Sequence, residues 1–205
     1  MRKLTAPVLV IASHNKGKLE ELSHLLQGYK INLRSASDYA LSEPAETENS
    51  FIGNAKIKAH FVAEKTRLPA LADDSGIEIK CLNGAPGVQT ANWAETPKGR
   101  NFETAMKTVW KAVLRTDCVK PFRARFVCAL ALAWPDGHDE TFEGVIAGDL
   151  TWPPRGNKGH GFDPMFRPDG YKETFGEMDR WEKNIISHRG LAFEKLKAFC
   201  LRKIK

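Results

Sequence analysis

The first third of the chain alternates short apolar runs with helical patterns. Val8–Ala12 is a β-branched apolar run, which is typical of a buried strand, and Ile31–Ala36 predicts a second strand. Between them, a leucine repeat that begins at Leu19 follows helical spacing. Phe51–Lys65 returns to a helical pattern, with small apolar residues along one face. This part of the chain therefore predicts strand, helix, strand and helix in that order.

The middle and the end of the chain carry weaker strand signals and two clear helices. Pro69–Asp73 and Ile77–Cys81 are predicted as two short strands separated by an Asp-Ser-Gly turn. Phe102–Leu114 has the apolar stripe of an amphipathic helix, and Gly190–Lys203 predicts the last helix. Pro153–Phe166 is rich in glycine and proline and is expected to be a loop.

A hairpin near residue 135 decides the kind of sheet. Ala124–Trp134 alternates large with small side chains, and Thr141–Ile146 is its expected partner across a Pro-Asp-Gly turn. A hairpin pair is antiparallel, and the remaining elements show no steady βαβ rhythm. We therefore expect an α/β fold with a mixed sheet, in one domain without internal repeats.

Composition indicates an ordinary globular protein but does not identify its ligand. The chain has 205 residues, 42% of them hydrophobic, and its net charge is +6. Such a charge suits a nucleic acid, a membrane surface or a phosphorylated small molecule, but the basic residues form no block of the kind that nucleic-acid modules carry. Four separated cysteines, a short N-terminal apolar run and no long apolar span favour a reducing, cytoplasmic location without a zinc site.

The segment Ser13-His14-Asn15-Lys16-Gly17-Lys18 joins the first strand to the first helix. It lacks the first glycine and the hydroxyl residue of a Walker A motif. Exposed amides at a helix start nevertheless attract an anion, and Lys18 adds a charge. The alternative is a plain helix start with solvated lysines.

Carboxylates and lysines form a second set of candidates. Successive strand side chains point to opposite faces, so Asp73 and Asp74 cannot serve one point equally. Ser42–Ser50 is expected to be an acidic loop, and its Glu46 could pair with Asp74 at a Mg²⁺ ion, which favours one or two protein carboxylates plus phosphates. Lys56 and Lys58 are two apart on a helix and should face different ways. The alternatives are a turn at Asp-Ser-Gly and a solvated acidic loop.

Two later segments suit a planar base. His160-Gly161-Phe162-Asp163 combines flat rings with an acceptor, in a loop whose glycines permit close backbone approach. Lys183, His188 and Arg189 cluster before the last predicted helix and can donate to carbonyls or phosphate. The alternatives are a surface loop and a helix start capped by Ser187.

Seven segments in order resemble the signature segments of the Ham1/RdgB-like inosine triphosphate pyrophosphatases, from about Val8 to Leu196. They are SHNKGKLEEL, NSFIGNAKIKA, ALADDSGIEI, NGAPGVQTANWA, PRGNKGHGFDPMF, TFGEM and EKNIISHRG. The resemblance implies an elongated mixed sheet flanked by helices, in two lobes with the active-site cleft between them, and a homodimer. It also implies Mg²⁺-dependent hydrolysis of noncanonical purine triphosphates such as ITP, dITP and XTP to the monophosphate and pyrophosphate.

The resemblance also assigns roles to individual residues. Ser13–Lys18 matches the triphosphate-binding segment, Lys58 a phosphate contact and Ser75 a substrate contact. Glu46 and Asp74 match the metal-site acids, and Asp74 also matches the presumed general base. His160–Asp163 matches the base-stacking segment, and Lys183, His188 and Arg189 match the base-reading cluster.

Three positions depart from the family's pattern. His14 stands where glycine is common, so the backbone of this loop is expected to differ slightly. His160 replaces the usual stacking phenylalanine, which offers more area. Gly53 replaces a common glutamate, and this leaves more of any metal binding to Glu46 and Asp74.

Two other interpretations compete with this one. A Maf-like nucleotide pyrophosphatase would share the chemistry but act on other nucleotides, and the order of the motifs argues against it. A nucleic-acid-binding module that is not an enzyme would explain the charge of +6 but not the adjacent aspartates, since carboxylates repel phosphate unless a metal intervenes. We therefore expect a small-molecule nucleotide as substrate, with no stable nucleic-acid partner and no membrane.

Overall fold

The computed structural model describes residues 1–201, apart from the side chain of Lys16. Its strands are β1 (Val8–Ile11), β2 (Asn32–Ser35), β3 (Ala70–Ile79), β4 (Arg123–Ala133), β5 (Asp139–Leu150) and β6 (Phe166–Pro168). Its helices are α1 (Lys16–Leu25), α2 (Phe51–Thr66), α3 (Phe102–Val113), α4 (Arg180–Ile186) and α5 (His188–Cys200). The predicted last helix ran to Lys203, and its final two residues lie outside the described residues.

The six strands form one sheet in the order β2-β1-β3-β4-β5-β6. β1 pairs in parallel with β2 and with β3, whereas β5 and β6 are antiparallel. At the β4–β5 turn, the Trp134 N–H donates to the His138 carbonyl at 2.9 Å, and near their far ends the Leu150 N–H donates to the Phe122 carbonyl at 2.9 Å. Paired positions therefore run in reverse order along β4 and β5. The expected hairpin and the expected mixed α/β sheet are both confirmed.

The chain divides into two units, each with its own apolar core. Unit 1 consists of Met1–Asp74, Cys128–Gly144 and the described part of Arg189–Lys205. Its core contains large buried side chains from β1, α1, β3, β4 and α5, namely Leu9, Ile11, Leu22, Leu71, Leu130 and Phe193. Burial of such side chains removes apolar surface from water and is the main force that stabilises the unit.

Unit 2 consists of Ser75–Val127 and Val145–His188. Its core is more aromatic, because rings from β4, β6 and the loops around them pack together. Its buried members include Val109, Phe126, Phe162, Met165, Phe166 and Phe175. The Phe126 ring contacts that of Phe166 at 4.7 Å between centroids in an edge-to-face arrangement.

The structure corrects the expected break at Asp-Ser-Gly. The two short strands that the sequence predicted are one continuous strand, β3, which runs through Asp73, Asp74, Ser75 and Gly76. The prediction failed because it took Asp-Ser-Gly as a turn that ends the strand. Both are buried and paired with cations instead, so the polar residues do not end the strand.

The sequence also missed α4. This helix of 7 residues begins at the N-cap Asp179, whose side chain accepts a hydrogen bond from the Trp181 N–H at 2.9 Å. Two turns are too short to show a helical period, so Lys183 was expected to precede the last helix rather than lie in a separate one. Within residues 1–201, no helix combines the length and the apolar character needed to cross a bilayer.

Candidate active site

The segment Ser13–Lys18 forms a capped helix start. Asn15 is the N-cap of α1, and its side-chain Oδ1 accepts from the N–H groups of Gly17 at 3.0 Å and Lys18 at 3.3 Å. The Ser13 hydroxyl in turn accepts from the Asn15 N–H at 3.1 Å. Two amides of the helix start thus already have an internal acceptor. The binding of phosphate to this segment stays a prediction.

Asp73 lies at the centre of a buried cluster in unit 1. Lys18 Nζ is 2.6 Å from its Oδ1, and Arg189 Nε donates to its Oδ2 at 2.8 Å. The buried Cys128 thiol also donates to Oδ2, at 3.0 Å. Burial opposes the ionisation of Asp73, but its attraction to Arg189 and Lys18 outweighs burial and holds the pKa of this carboxyl well below its usual range.

Arg189, one of the predicted base contacts, lies at the start of α5. It was expected to contact a purine base, and it lies in this cluster with its guanidinium bound to Asp73 and to Glu21 of α1. Buried arginines usually need such carboxylate partners. Glu21 was not among the candidates, although its position three residues after Lys18 on one helix face was a signal that it belongs with Lys18.

Lys58 joins the two predicted metal-site acids. Its Nζ lies 2.6 Å from Glu46 Oε1 and 2.9 Å from Asp74 Oδ1. Lys56 instead pairs with Asp139 at 2.8 Å, so the prediction that the two lysines face different ways is confirmed. Burial lowers the pKa of Lys58, but attraction to Asp74 and Glu46 raises it more, so the ammonium stays charged.

Asp74 is the least compensated acid of this group. Its side chain is buried, and its Oδ2 has no hydrogen-bond partner among the residues that the structure describes. Burial raises the pKa of Asp74 although Lys58 and Lys18 lower it. A buried carboxylate oxygen without a partner is costly, and a perturbed acid of this kind is a candidate for chemistry.

The same pair of acids fits a magnesium ion. Mg²⁺ takes oxygen ligands and commonly uses one or two carboxylates, with substrate phosphates and water completing its shell. Glu46 and Asp74 both reach Lys58, and Asp74 Oδ2 is available as a ligand. In the described part of the chain, no group of three or more His, Cys, Asp or Glu side chains gathers to hold a metal by itself.

The acidic loop lies against the helix start. The His14 N–H donates to Glu43 Oε1 at 3.1 Å, and the His14 ring nitrogen Nε2 is 2.8 Å from the Leu41 carbonyl. The loop at residues 41–48 has no helix or strand of its own. These contacts join the start of α1 to a loop that begins 27 residues further along the chain.

The predicted base-binding residues of unit 2 form a second buried ion pair. Lys183 Nζ lies 2.7 Å from Asp163 Oδ2, and that same oxygen accepts from the His160 N–H at 2.6 Å. Gly159 has a positive φ of 77°, and a Cβ there would lie 2.2 Å from Asp163 Oδ2. Only glycine fits this turn, and the turn brings His160 and Asp163 together.

The rings expected to contact a base differ in their exposure. His160 is exposed, with Gly161 beside it, whereas Phe162 is buried and packs edge-on against Phe102 at 5.8 Å between centroids. His188 is buried and stacks on Phe126 with centroids 4.8 Å apart and an angle of 12°. Phe126 was not predicted, since its alternating pattern indicated only a core strand. Ser75, which follows Asp74 in β3, is half-buried.

Fold and site together define a class of protein. It is a mixed α/β protein in which one strand carries two buried aspartates, each held by a lysine, and one of them is incompletely paired. Lysines and acids in this arrangement are typical of sites that bind and hydrolyse phosphate compounds.

The comparisons with known proteins specify the family. The model of the Ham1 family matches residues 9–199, and the chain belongs to this family. It is 56% identical over 199 residues to the dITP/XTP pyrophosphatase of Ruegeria pomeroyi, with 97% of this chain and 98% of that protein covered. It is 50% identical over 201 residues to the dITP/XTP pyrophosphatase of Zymomonas mobilis, with 98% and 95% covered.

Solved structures agree with this assignment. A Ham1 protein from Coxiella burnetii has a TM-score of 0.86 at 36% identity, covering 94% of this chain and 98% of that one. The Ham1 protein of Staphylococcus aureus has a TM-score of 0.82 at 29% identity, with 94% and 97% covered. The family resemblance predicted from the seven sequence segments is therefore confirmed.

Proposed function

We propose that this protein hydrolyses noncanonical purine nucleoside triphosphates, such as ITP, dITP and XTP, to the monophosphate and pyrophosphate. The observation that carries this proposal is Asp74 in a Ham1-family chain: a buried acid beside Lys58 whose Oδ2 has no hydrogen-bond partner within the described residues. The names of its relatives, dITP/XTP pyrophosphatases, supply the substrate class.

The triphosphate is assigned to the cations of unit 1. Lys18 lies at the start of α1, where the helix dipole adds to its charge, and the buried Lys58 keeps its ammonium through its acid partners. Both lysines neutralise charge that grows on the leaving pyrophosphate. Ser13–Lys18 contributes its remaining polar groups to the phosphates, as the family pattern implies.

Glu46 and Asp74 are the residues that would hold Mg²⁺. When bound, the ion supplies neutralisation of phosphate charge and orients the reacting groups. Lys58, which contacts both acids, fixes their side chains relative to one another. The acids therefore do not depend on the ion for their placement.

Asp74 is the proposed general base. Its pKa is raised by burial, so the carboxylate accepts a proton more readily than an exposed aspartate does. Asp74 orients a water and takes its proton while the water oxygen bonds to the α-phosphorus. The bond from the α-phosphorus to the bridging oxygen breaks, and pyrophosphate leaves with that oxygen. No covalent enzyme intermediate is needed.

Selectivity is assigned to the base contacts of unit 2. Lys183 is a buried donor, and hypoxanthine and xanthine carry a 6-keto acceptor. The 6-amino group of adenine offers Lys183 a donor where the keto group offers an acceptor, and a site that hydrogen-bonds one group can reject an analogue that lacks it by roughly 10⁴-fold. His160, being exposed, is assigned to stack on the base.

The family pattern also leads us to propose that the protein is a homodimer and is located in the cytoplasm.

Product analysis tests this function directly. Purified protein with Mg²⁺ is offered ITP, XTP, dITP, GTP and ATP in parallel, with pyrophosphate and orthophosphate measured separately. We expect pyrophosphate mainly from ITP, XTP and dITP. Orthophosphate as the main product would place the attack at the terminal phosphate and contradict the mechanism. Equal kcat/KM for ATP and ITP would contradict the assignment of the base contacts.

A further inference from the structure

The acidic loop, Ser42–Ser50 together with the preceding Leu41, must hold one carboxylate in place without regular structure. It contains no helix or strand, yet Glu46 reaches Lys58 at 2.6 Å with its side chain still 39% exposed. Loop backbone without a hydrogen-bond ladder depends on individual anchors. The position of Glu46 therefore depends on how the two ends of the loop are fixed.

The far end of the loop is fixed by α2. Ser50 caps this helix by accepting from the Gly53 N–H at 3.1 Å, and the Glu48 N–H donates to Asn54 Oδ1 at 3.0 Å. Gly53 permits this approach, because a Cβ at that position would lie 2.6 Å from Glu48 Cβ. Gly53, which departs from the family pattern, thus allows the far end of the loop to pack against α2.

The near end of the loop is fixed largely by His14. One backbone bond joins the Leu41 N–H to the Ala36 carbonyl at 3.3 Å. His14 adds three contacts, from Nε2 to the Leu41 carbonyl at 2.8 Å, from Nδ1 to Glu43 Oε1 at 3.3 Å, and from its own N–H to the same oxygen at 3.1 Å. Two of the three come from the ring, and a glycine has no ring.

The electrostatics of Glu43 support this arrangement. Burial raises the pKa of Glu43, but hydrogen bonds from the His14 backbone and ring and attraction to His14 outweigh it, so the pKa falls below its usual value. Carbonyl and carboxylate oxygens accept, so a ring nitrogen of His14 donates to one of them when it carries a hydrogen; a neutral ring supplies one such donor and a protonated ring supplies two. Hydrogen bonds to a charged acceptor are stronger than those to a neutral one.

We propose that His14 is a positioning residue, whose ring ties the acidic loop to the start of α1 and so keeps Glu46 beside Lys58 and Asp74. This role goes beyond a substrate contact, since the ring faces protein acceptors of the acidic loop. It rests on the proposed function in one respect, because the loop affects turnover only if Glu46 holds the metal.

Hydrogen–deuterium exchange tests the tether without metal or nucleotide. His14→Ala removes the ring, whereas His14→Gln keeps an amide donor near the position of Nε2. We expect peptides covering residues 41–50 to exchange roughly fivefold faster in His14→Ala, the effect of about one net hydrogen bond, and His14→Gln to recover part of the protection. His138→Ala is the matched control, since His138 also contacts a carboxylate, that of Glu140 at 3.1 Å.

Metal dependence separates positioning from simple support of the fold. We expect His14→Ala to need several-fold more Mg²⁺ than wild type for half-maximal release of pyrophosphate from ITP. Binding of Mn²⁺, followed by electron paramagnetic resonance without substrate, should weaken in parallel. His14→Gln should move both values back toward wild type.

The outcomes are decisive in both directions. Unchanged exchange in residues 41–50 would overturn the proposal, as would faster exchange with unchanged Mg²⁺ and Mn²⁺ dependence. If the wild-type protein releases no pyrophosphate from any substrate, the proposed function fails on its own. In that case the exchange and Mn²⁺ measurements still decide the role of His14.

Discussion

Asp73 and Asp74 are adjacent in β3, yet their carboxylates lie on opposite faces of this strand and their pKa values shift in opposite directions. On one face, Asp73 accepts from Lys18, Arg189 and the Cys128 thiol, and its pKa falls well below the usual range. On the other face, Asp74 meets Lys58 through one oxygen, its second oxygen has no partner among the described residues, and its pKa is raised.

This difference separates a supporting acid from a reactive one. A carboxylate that is paired with several cations in a buried cluster holds those neighbours in place, and its lowered pKa makes it a poor proton acceptor. A carboxylate that is buried but incompletely paired keeps proton affinity and an open coordination position. Two adjacent aspartates thus have different roles, one supporting and one reactive, because their partners differ.

The largest expected effect comes from Asp74→Asn. We expect turnover of ITP to fall about 10²-fold or more, because the amide neither accepts a proton nor binds metal as a carboxylate does. The melting temperature should stay equal or rise slightly, since burial disfavours the charge on Asp74. Steady-state kinetics and thermal unfolding measure the two effects separately.

Asp117→Asn is the matched control for this substitution. Asp117 is exposed in unit 2, and its loss should leave both activity and melting temperature near wild type. If Asp74→Asn retains near-wild-type turnover, the general base must be assigned to another group. If it unfolds the protein, the distinction between the two faces of β3 is wrong.

Asp73→Asn should mainly affect stability. Removing one partner of a buried ion cluster costs about 3–5 kcal/mol, because Arg189 and Lys18 lose their shared carboxylate, and this corresponds to a fall in melting temperature of roughly 10 °C for a chain of this size. Differential scanning calorimetry measures it. A fall no larger than that of Asp139→Asn, which affects partly exposed contacts with Lys56 and His60, would contradict the supporting role.

The comparison also shows how far the sequence could predict this molecule. The elements β1, α1, β2, α2, α3 and the β4–β5 hairpin could be predicted from short apolar runs, helical spacing and a turn, all of which are local patterns. β3 could not be predicted as one strand. Its polar centre is stabilised by Arg189, which lies 116 residues away along the chain, and a local pattern contains no information on such a partner.

The site was predicted as a set of residues but not as a set of pairs. Lys58 with Glu46 and Asp74, and Lys183 with Asp163, were all candidates, yet their contacts appear only in the structure. The loop motif at His160–Asp163 gave no indication that the Phe162 ring turns into the core. The family resemblance assigned Arg189 to the base-reading cluster, and its buried acid partners could not be predicted because they lie in other elements.

The smallest expected effect, and the sharpest test of the comparison, is the pH dependence of stability. Because the pKa of Asp73 is lowered on folding, its contribution is present above about pH 4, the unfolded value, and is lost as pH falls through the lower folded value. Because the pKa of Asp74 is raised, the folded state holds its proton longer. Stability from Asp74 therefore decreases as pH rises from about 4 through the folded value.

The two variants should consequently show pH trends of opposite sign. The melting temperature of Asp73→Asn should approach that of wild type as pH falls below about 4, because wild type loses there what the variant already lacks. The melting temperature of Asp74→Asn should instead rise relative to that of wild type, by a few degrees at most, as pH increases above about 4. Thermal unfolding of the three proteins across this range, at constant ionic strength, measures both trends. Parallel trends would mean that Asp73 and Asp74 share one environment, and the division of roles between the two faces of β3 would then be wrong.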